Sequence, residues 1–491
     1  MKLNNSTLDQ LSPEVSVPAY ERGNLRHGIV HIGVGGFHRA HEAAYTHQLL
    51  QAGGSADWSI CGVGLREADR TMQQVLSGQD HLYTLIELGA DNTNATSVIG
   101  SITDFLFAPE EQDAVLEKLA SPQVKIVSLT ITEGGYNVDD NTGRFNEGHP
   151  DIRYDLQNPQ QPRTVFGYLT EALDRRRARN LPPFTVMSCD NLPENGHVAR
   201  AALLAFANLR DADLASWIEA NVSFPSSMVD RITPGTNDKH RQWLKEHYDL
   251  EDGWPVICEP FCQWVLEDDF CNGRPEWERV GVQFTDDVAP YERMKIRLLN
   301  ASHSAMAYLG YLAGYRYTHE VMADERFSQF IRSFMDEDVT PILGEISGID
   351  VPAYKQTLIE RFSNPQMGDE LARLCMDGSS KIPKFLVPTV QTLVNEGRPL
   401  SRVAMIIASW ALYLRGQDEK GQHHEINDPL AARLKSAVKD RANLTSDFLG
   451  MADIFGTTLA NSSDFEEAFE AELDKLETNG VFSGLQSLQE A

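Results

Sequence analysis

Cysteine is scarce in this chain of 491 residues: there are six, at 61, 189, 258, 262, 271 and 375, and no two are spaced as CxxC. That spacing speaks against a zinc site or a dithiol redox centre. Long apolar runs are missing as well. The longest, Val403 to Leu414, has 12 residues with a serine inside it, too short to cross a bilayer, and it reads as a buried helix. The opening segment MKLNNSTLDQLSPEV has no apolar stretch after its one lysine, so a secretory leader is not expected. Positive charge is in deficit, with 43 Lys and Arg against 71 Asp and Glu and a formal charge of −28. A surface that acidic is a poor partner for nucleic acid or an anionic membrane. A GxSxG elbow, a Walker A loop and a zincin pair are also absent, since His41-Glu42 and His319-Glu320 each lack the second histidine. What is left is a soluble, reduced, cytoplasmic globular protein of two or three domains. Its acidity and large core are compatible with a monomer.

Apolar strands and helices alternate through the first half. Ile29 to Ile32 is a short buried run ending in the glycine cluster, a helix is expected from Phe37 to about Gln51, and Ser59 to Leu65 reads as the second strand. Further strands are expected at 82–88, 97–99, 125–132 and 184–189, with helices at about 110–120, 164–180 and 195–210. The pattern predicts an α/β domain, Rossmann-like, with a parallel sheet covered on both faces. Strand signals almost vanish after about residue 285. Pro290, with Thr285, Asp286 and Asp287 before it, is well placed to open a helix that runs to about Gly314. Helical patterns follow at 319–338, 353–362, 386–396, 401–415, 429–440, 445–454 and 464–478. The expected division is a dinucleotide-binding domain, 1–286, and a mostly α-helical domain, 287–491.

Gly33, Gly35 and Gly36, followed by Phe37, His38 and Arg39, lie between the first strand and its helix. Glycines there let backbone N–H groups approach a pyrophosphate at a helix N-terminus, although His38 stands where the third glycine of GxGxxG belongs. An acidic residue after the second strand would bind the adenosine ribose. Asp69 fits and points to NAD, while Arg66 and Arg70 beside it could instead neutralise a 2′-phosphate. His38, His41 and His47 could suggest a metal, but a helix opening beside a cofactor explains them as readily, and no metal is expected.

A second constellation lies on the helix that opens the second domain. At about 100° per residue, Asn300 and His303 stand roughly 140° and 80° around the helix from Lys295, within one broad polar face of an otherwise apolar helix. Such a face needs partners or a cavity. Asp190-Asn191 closes a strand, Asp230-Arg231 follows an extended segment, and Arg373 and Lys381 add two cations in the second domain. A lysine can serve as general base without a metal, and neutral amides such as Asn191 and Asn300 suit a developing alkoxide.

The strings IGVGGFHRAH (32–41), SLTITEGGY (128–136), TVMSCDNLPENG (185–196), MVDRITP (228–234), CEPFCQWVLED (258–268), KIRLLNASH (295–303) and GSSKIPKF (378–385) resemble the polyol-specific long-chain dehydrogenases. The likeness covers nearly the whole chain, and the family's Lys-x4-Asn-x2-His is matched by Lys295, Asn300 and His303. It implies oxidation of D-mannitol to D-fructose and the reverse, with NAD and without a metal. Fructuronate reduction or the oxidation of another polyol such as D-arabinitol are the alternatives. By resemblance Lys295 is the general base, Asn191 and Asn300 hold the reacting oxygen, and Glu292 relays the proton to solvent. Asp230, His303, Arg373 and Lys381 contact the other hydroxyls, and Glu133 lies in a cofactor-side Thr-Glu motif. Ala68 departs from the pattern, since relatives carry an acidic residue there beside Asp69.

Overall fold

A computed structural model of the protein describes residues 1–91, 93–138 and 144–489. It divides into two compact units, Met1–Ala289 and Pro290–Ala491. Five parallel strands form the main sheet of the first unit: β1 (His27–Ile32), β2 (Ser59–Gly64), β3 (Ile102–Phe107), β4 (Ile126–Leu129) and β5 (Thr185–Ser188). They lie in the order β3-β2-β1-β4-β5. That is the order of a dinucleotide-binding sheet, and the chain reverses its winding between β1 and β4, where ligands bind at the carboxyl ends of the strands.

Strands β1, β2, β4 and β5 are short and largely buried on both faces, which is why they read as apolar runs without alternation, whereas β3 is only partly buried. One layer of core sets Val30, Ile32, Val127 and Val186 against Leu116, Leu119, Phe166 and Leu203, and the other sets Ile29, Ile60 and Ile126 against Ala40, Ala44, Trp58 and Trp264. The helix after β1 is not continuous. It breaks at His41 (φ −117°, ψ −94°) into α1 (Gly36–Ala40) and α2 (Glu42–Gln51).

The segments at 82–88 and 97–99 do not join the main sheet. Tyr83–Leu88 and Asn94–Ile99 pair antiparallel in a second sheet, flanked by Val15–Ser16 and Val256–Cys258. A third sheet pairs Ser227–Asp230 antiparallel with Gln263–Glu267, which in turn runs parallel to Gln283–Thr285. The third strand of the main sheet is instead Ile102–Phe107, which sequence reading passed over.

The described elements of the second unit are helical. Its first helix, α-helical over Ala289–Lys295, passes through a π-helical turn at Ile296–Asn300 and continues as an α-helix over Ala301–Leu312. The apolar run at 403–414 is the buried helix Ser401–Tyr413. Among the described residues no helix is long and apolar enough to cross a membrane.

Candidate active site

Within the first unit, the glycine loop follows β1 directly. Gly33 has φ +100°, and a Cβ on it would lie 2.1 Å from the carbonyl oxygen of Thr130, so only glycine fits. The Thr130 hydroxyl donates to Gly33 O at 2.7 Å, locking this loop to the turn after β4. At Gly35 a Cβ would meet no atom nearer than 3.8 Å, so bare backbone faces open space at the start of α1. That is the space a diphosphate requires, with orphan helix N–H groups as donors.

His38 and Arg39 turn their side chains inward. Arg39 is wholly buried and donates to Gly35 O at 3.2 Å and Trp254 O at 2.5 Å. Both were expected in the cofactor set, and both side chains are buried at the start of α1. Phe37 is half-buried and stacks on His41 at 4.9 Å.

Asp69 closes a turn just beyond β2. Its Oδ2 accepts Arg66 N–H at 2.9 Å, and a Cβ on Gly64 would come within 2.8 Å of Asp69 Cβ, so the carboxylate folds back to the carboxyl end of the strand. Arg70 is occupied elsewhere, by ion pairs to Glu67 and Glu110 and by the ring of Phe107 at 4.5 Å.

Below the glycine loop, His31, His38 and Glu42 form a buried cluster whose ligand-type atoms lie within 4.8 Å of one another. The two histidine rings are poorly oriented to share one metal ion. The rings of His31 and His38 stack at 3.4 Å with planes 8° apart. An imidazole binds an ion in its own plane, and two stacked parallel planes share no such point. Both nitrogens of His31 are also taken, by Ser128 Oγ at 2.8 Å and Thr130 Oγ1 at 2.9 Å. Glu42 Oε2 sits 3.1 Å from His31 Nδ1 and 3.7 Å from His38 Nε2. Burial and the neighbouring His31 hold His38 well below the usual histidine range, hence neutral.

At the end of β5, Asp190 is buried and Asn191 exposed, and Glu133 is exposed on the turn after β4. Asp230 is buried at the end of its strand, paired in register with Gln263.

In the second unit, Lys295 is 7% exposed, and Asn300 and His303 are half-buried. The π-turn between Lys295 and Asn300 changes the expected geometry. Hydrogen bonds from i to i+5 make a turn of more than four residues, so the fifth residue returns above the first as the fourth does in an α-helix. Asn300 therefore stands over Lys295, closer than the roughly 140° of a regular helix. Asn300 Oδ1 is buried without a hydrogen-bond partner among the described residues. Glu292, half-buried, precedes Lys295 by about one turn, and the His303 ring lies 4.9 Å from Phe362.

Two short helices that the sequence did not reveal carry the cations. Arg373 lies on Leu371–Cys375, where it is ion-paired with Asp369, and this helix packs against Ala301–Leu312. Lys381 lies on Gly378–Phe385, which packs against both the π-turn and Ala301–Leu312. Its ammonium donates to Arg373 O and Leu374 O at 3.3 and 3.2 Å, and burial lowers its pKa. Gly378 makes the approach possible, since a Cβ there would lie 2.7 Å from both Trp410 Nε1 and Tyr308 Oη. The second unit thus gathers Lys295, Asn300, His303, Arg373 and Lys381 on packed helices.

Residues 27–279 match the family model for the mannitol dehydrogenase Rossmann domain, and residues 287–477 that for the mannitol dehydrogenase C-terminal domain. The chain belongs to the mannitol dehydrogenase family. It is 48% identical over 98% of its length to mannitol 2-dehydrogenase of Phaeosphaeria nodorum, covering 84% of that protein. It is 45% identical over 99% of its length to mannitol 2-dehydrogenase of Aspergillus fumigatus, covering 98%. Among solved structures, the Pseudomonas fluorescens mannitol 2-dehydrogenase ternary complex with NAD and D-mannitol is 55% identical, with a TM-score of 0.88 and both chains fully covered. D-Sorbitol dehydrogenase in substrate-free form is 39% identical, with a TM-score of 0.93, over 99% of this chain and 100% of that one.

For this mannitol dehydrogenase family member, sequence reading missed the supporting residues. Thr130, His31 and Glu42 do not touch the open space at Gly35, and their only signal was a polar side chain inside a buried run.

Proposed function

We propose that the chain is an NAD-dependent polyol dehydrogenase that interconverts D-mannitol and D-fructose through a lysine base and no metal. The observation that carries this reading is Lys295 buried beneath Asn300 across a π-turn, in a chain that also has a glycine loop at the reversal point of a dinucleotide-binding sheet. Gly33, Gly35, Gly36 and Phe37, with His38 and Arg39 at the start of α1, would cradle the cofactor's diphosphate, Asp69 its ribose, and Glu133 the nicotinamide side. When bound, NAD accepts the hydride that leaves C2. Lys295 takes the proton of the C2 hydroxyl, and Glu292 passes it to solvent. The amides of Asn191 and Asn300 donate to the oxygen as it gains negative charge, a stabilisation that needs no reorganisation when the donors are already held. Asp230, His303, Arg373 and Lys381 hold the remaining hydroxyls of the open-chain sugar.

Asp69 supports NAD over NADP, because a 2′-phosphate would meet a carboxylate that already pairs with Arg66, while Arg70 is committed to Glu67 and Glu110. The stacking of His31 on His38 supports chemistry without a metal.

The test is consumption of NADH, and in parallel NADPH, with D-fructose and with D-fructuronate, followed by identification of the polyol formed. Mannitol and sorbitol differ only at C2, and either gives fructose on oxidation there. D-Mannitol as the product from fructose and NADH supports the reading. Sorbitol as the product would move the chain toward the sorbitol dehydrogenase it also resembles. Preference for fructuronate would recast Arg373 or Lys381 as a carboxylate clamp.

A further inference from the structure

One carboxylate at the end of β5 has no part in the proposed chemistry, yet it is bonded on every side. Asp190 Oδ1 accepts Thr132 N–H at 2.9 Å, and Oδ2 accepts both Ile131 N–H at 3.0 Å and the Tyr136 hydroxyl at 2.7 Å. With the Tyr136 proton so committed, the Ser188 hydroxyl donates to Tyr136 Oη at 2.6 Å. All three donors to Asp190 belong to one turn, residues 131–136. The backbone of Asp190 is pinned as firmly, since its carbonyl accepts from Asn195 Nδ2 at 2.9 Å. Asn195, wholly buried, also donates to Ser227 O at 2.8 Å and accepts Ser227 N–H at 2.9 Å.

The turn that Asp190 grips is strained. Thr132 has φ +60°, a left-handed conformation that a β-branched residue rarely adopts and that persists only where its surroundings impose it. Two consecutive N–H groups aimed at one carboxylate impose it here, through charge-assisted hydrogen bonds. The same turn abuts the glycine loop, through Thr130 Oγ1 on Gly33 O. Glu133 follows Thr132, and Asn191 follows Asp190.

We propose that Asp190 is a positioning residue that couples two parts of the reaction. Through its carboxylate it holds the Glu133 turn against the glycine loop, and through its backbone it fixes the amide of Asn191. The proposal rests on the roles given above to Glu133 and Asn191. An asparagine at 190 has the right shape but only one accepting oxygen. Whichever way its amide faces, at least one backbone N–H of the turn loses its acceptor and meets an NH2 group.

The test measures NADH affinity by fluorescence titration and kcat with D-mannitol and NAD, for Asp190→Asn and Tyr136→Phe, with thermal unfolding alongside. Asp190→Asn is expected to weaken NADH binding about tenfold and to lower kcat at least tenfold while still unfolding cooperatively. Tyr136→Phe removes one of the three donors and is expected to move both in the same direction by about threefold. Asn191→Ala, in contrast, should lower kcat with little change in NADH affinity. If both variants keep NADH affinity and kcat within twofold of the parent, whatever their melting temperatures, the proposal is overturned. If Asp190→Asn fails to fold, a parent-like Tyr136→Phe overturns it equally. Failure of the parent to oxidise any polyol would sink the proposed function, while the NADH arm would still read the grip on the turn.

Discussion

Gly33 and Lys295 show two different ways in which a single residue is constrained. At Gly33 the constraint is steric and local. Its φ of +100° costs an L-residue about 1–2 kcal/mol, and the 2.1 Å approach of a Cβ to Thr130 O adds backbone overlap that no rotamer relieves. Gly33→Ala should push the glycine loop off the turn after β4. The expected result is a loss of NADH affinity of at least tenfold with a lowered melting temperature, read by fluorescence titration and thermal unfolding. At Lys295 the constraint is chemical. General acid–base groups contribute roughly 10²–10⁴-fold to rate, so Lys295→Ala should lower kcat by that range. NADH affinity should stay within about twofold, because the proposed cofactor contacts lie elsewhere. Near-normal turnover in this variant would remove the lysine from the mechanism.

Elements explain where the sequence was legible and where it was not. The strands at β2, β4 and β5 announce themselves as short runs buried on both faces. A run of that kind does not say which sheet it joins, so the segments at 82–88 and 97–99 were expected in the parallel sheet, whereas Tyr83–Leu88 and Asn94–Ile99 pair antiparallel with each other. Lys295, Asn300 and His303 were legible because one helix carries all three. The π-turn that brings Asn300 over Lys295 was not, since hydrogen bonding from i to i+5 leaves no mark in residue type. Helices 371–375 and 378–385 were hidden for another reason. Asp377 between them is left-handed at φ +56°, and Pro383 lies inside the second, so the segment reads as turn.

The β1 and α1–α2 elements support a prediction of their own. Three ligand-type residues meet there, yet the 3.4 Å stack of His31 on His38 denies a shared ion both lone pairs. Prolonged incubation with a chelator should leave turnover unchanged, and elemental analysis should find no stoichiometric transition metal. Activity lost to the chelator and restored by zinc would overturn the argument.

On the scale of the whole molecule, two effects oppose each other as pH falls. The formal charge of −28 favours acidification, since protonating carboxylates relieves self-repulsion. Buried histidines oppose it. Burial, aided by Arg22, lowers the pKa of His47 to about 4, and burial, aided by Lys118, does the same to His27. A histidine depressed in the folded state but ordinary, near 6.5, in the unfolded state makes the unfolded chain bind more protons between those values. Stability is therefore lost as pH falls through 6.5 and continues to fall toward 4. For His47, which is 5% exposed, the loss from pH 7 to pH 5 is about 2 kcal/mol. Carboxylates titrate mostly near 4, so little repulsion is relieved across that window and the histidines should prevail. The melting temperature is expected to fall steadily from pH 7 to pH 5. His47→Gln keeps a side-chain amide near the Tyr20 hydroxyl, which lies 2.8 Å from His47 Nδ1, and should flatten that slope. A melting temperature that rises on acidification would give the decision to surface charge.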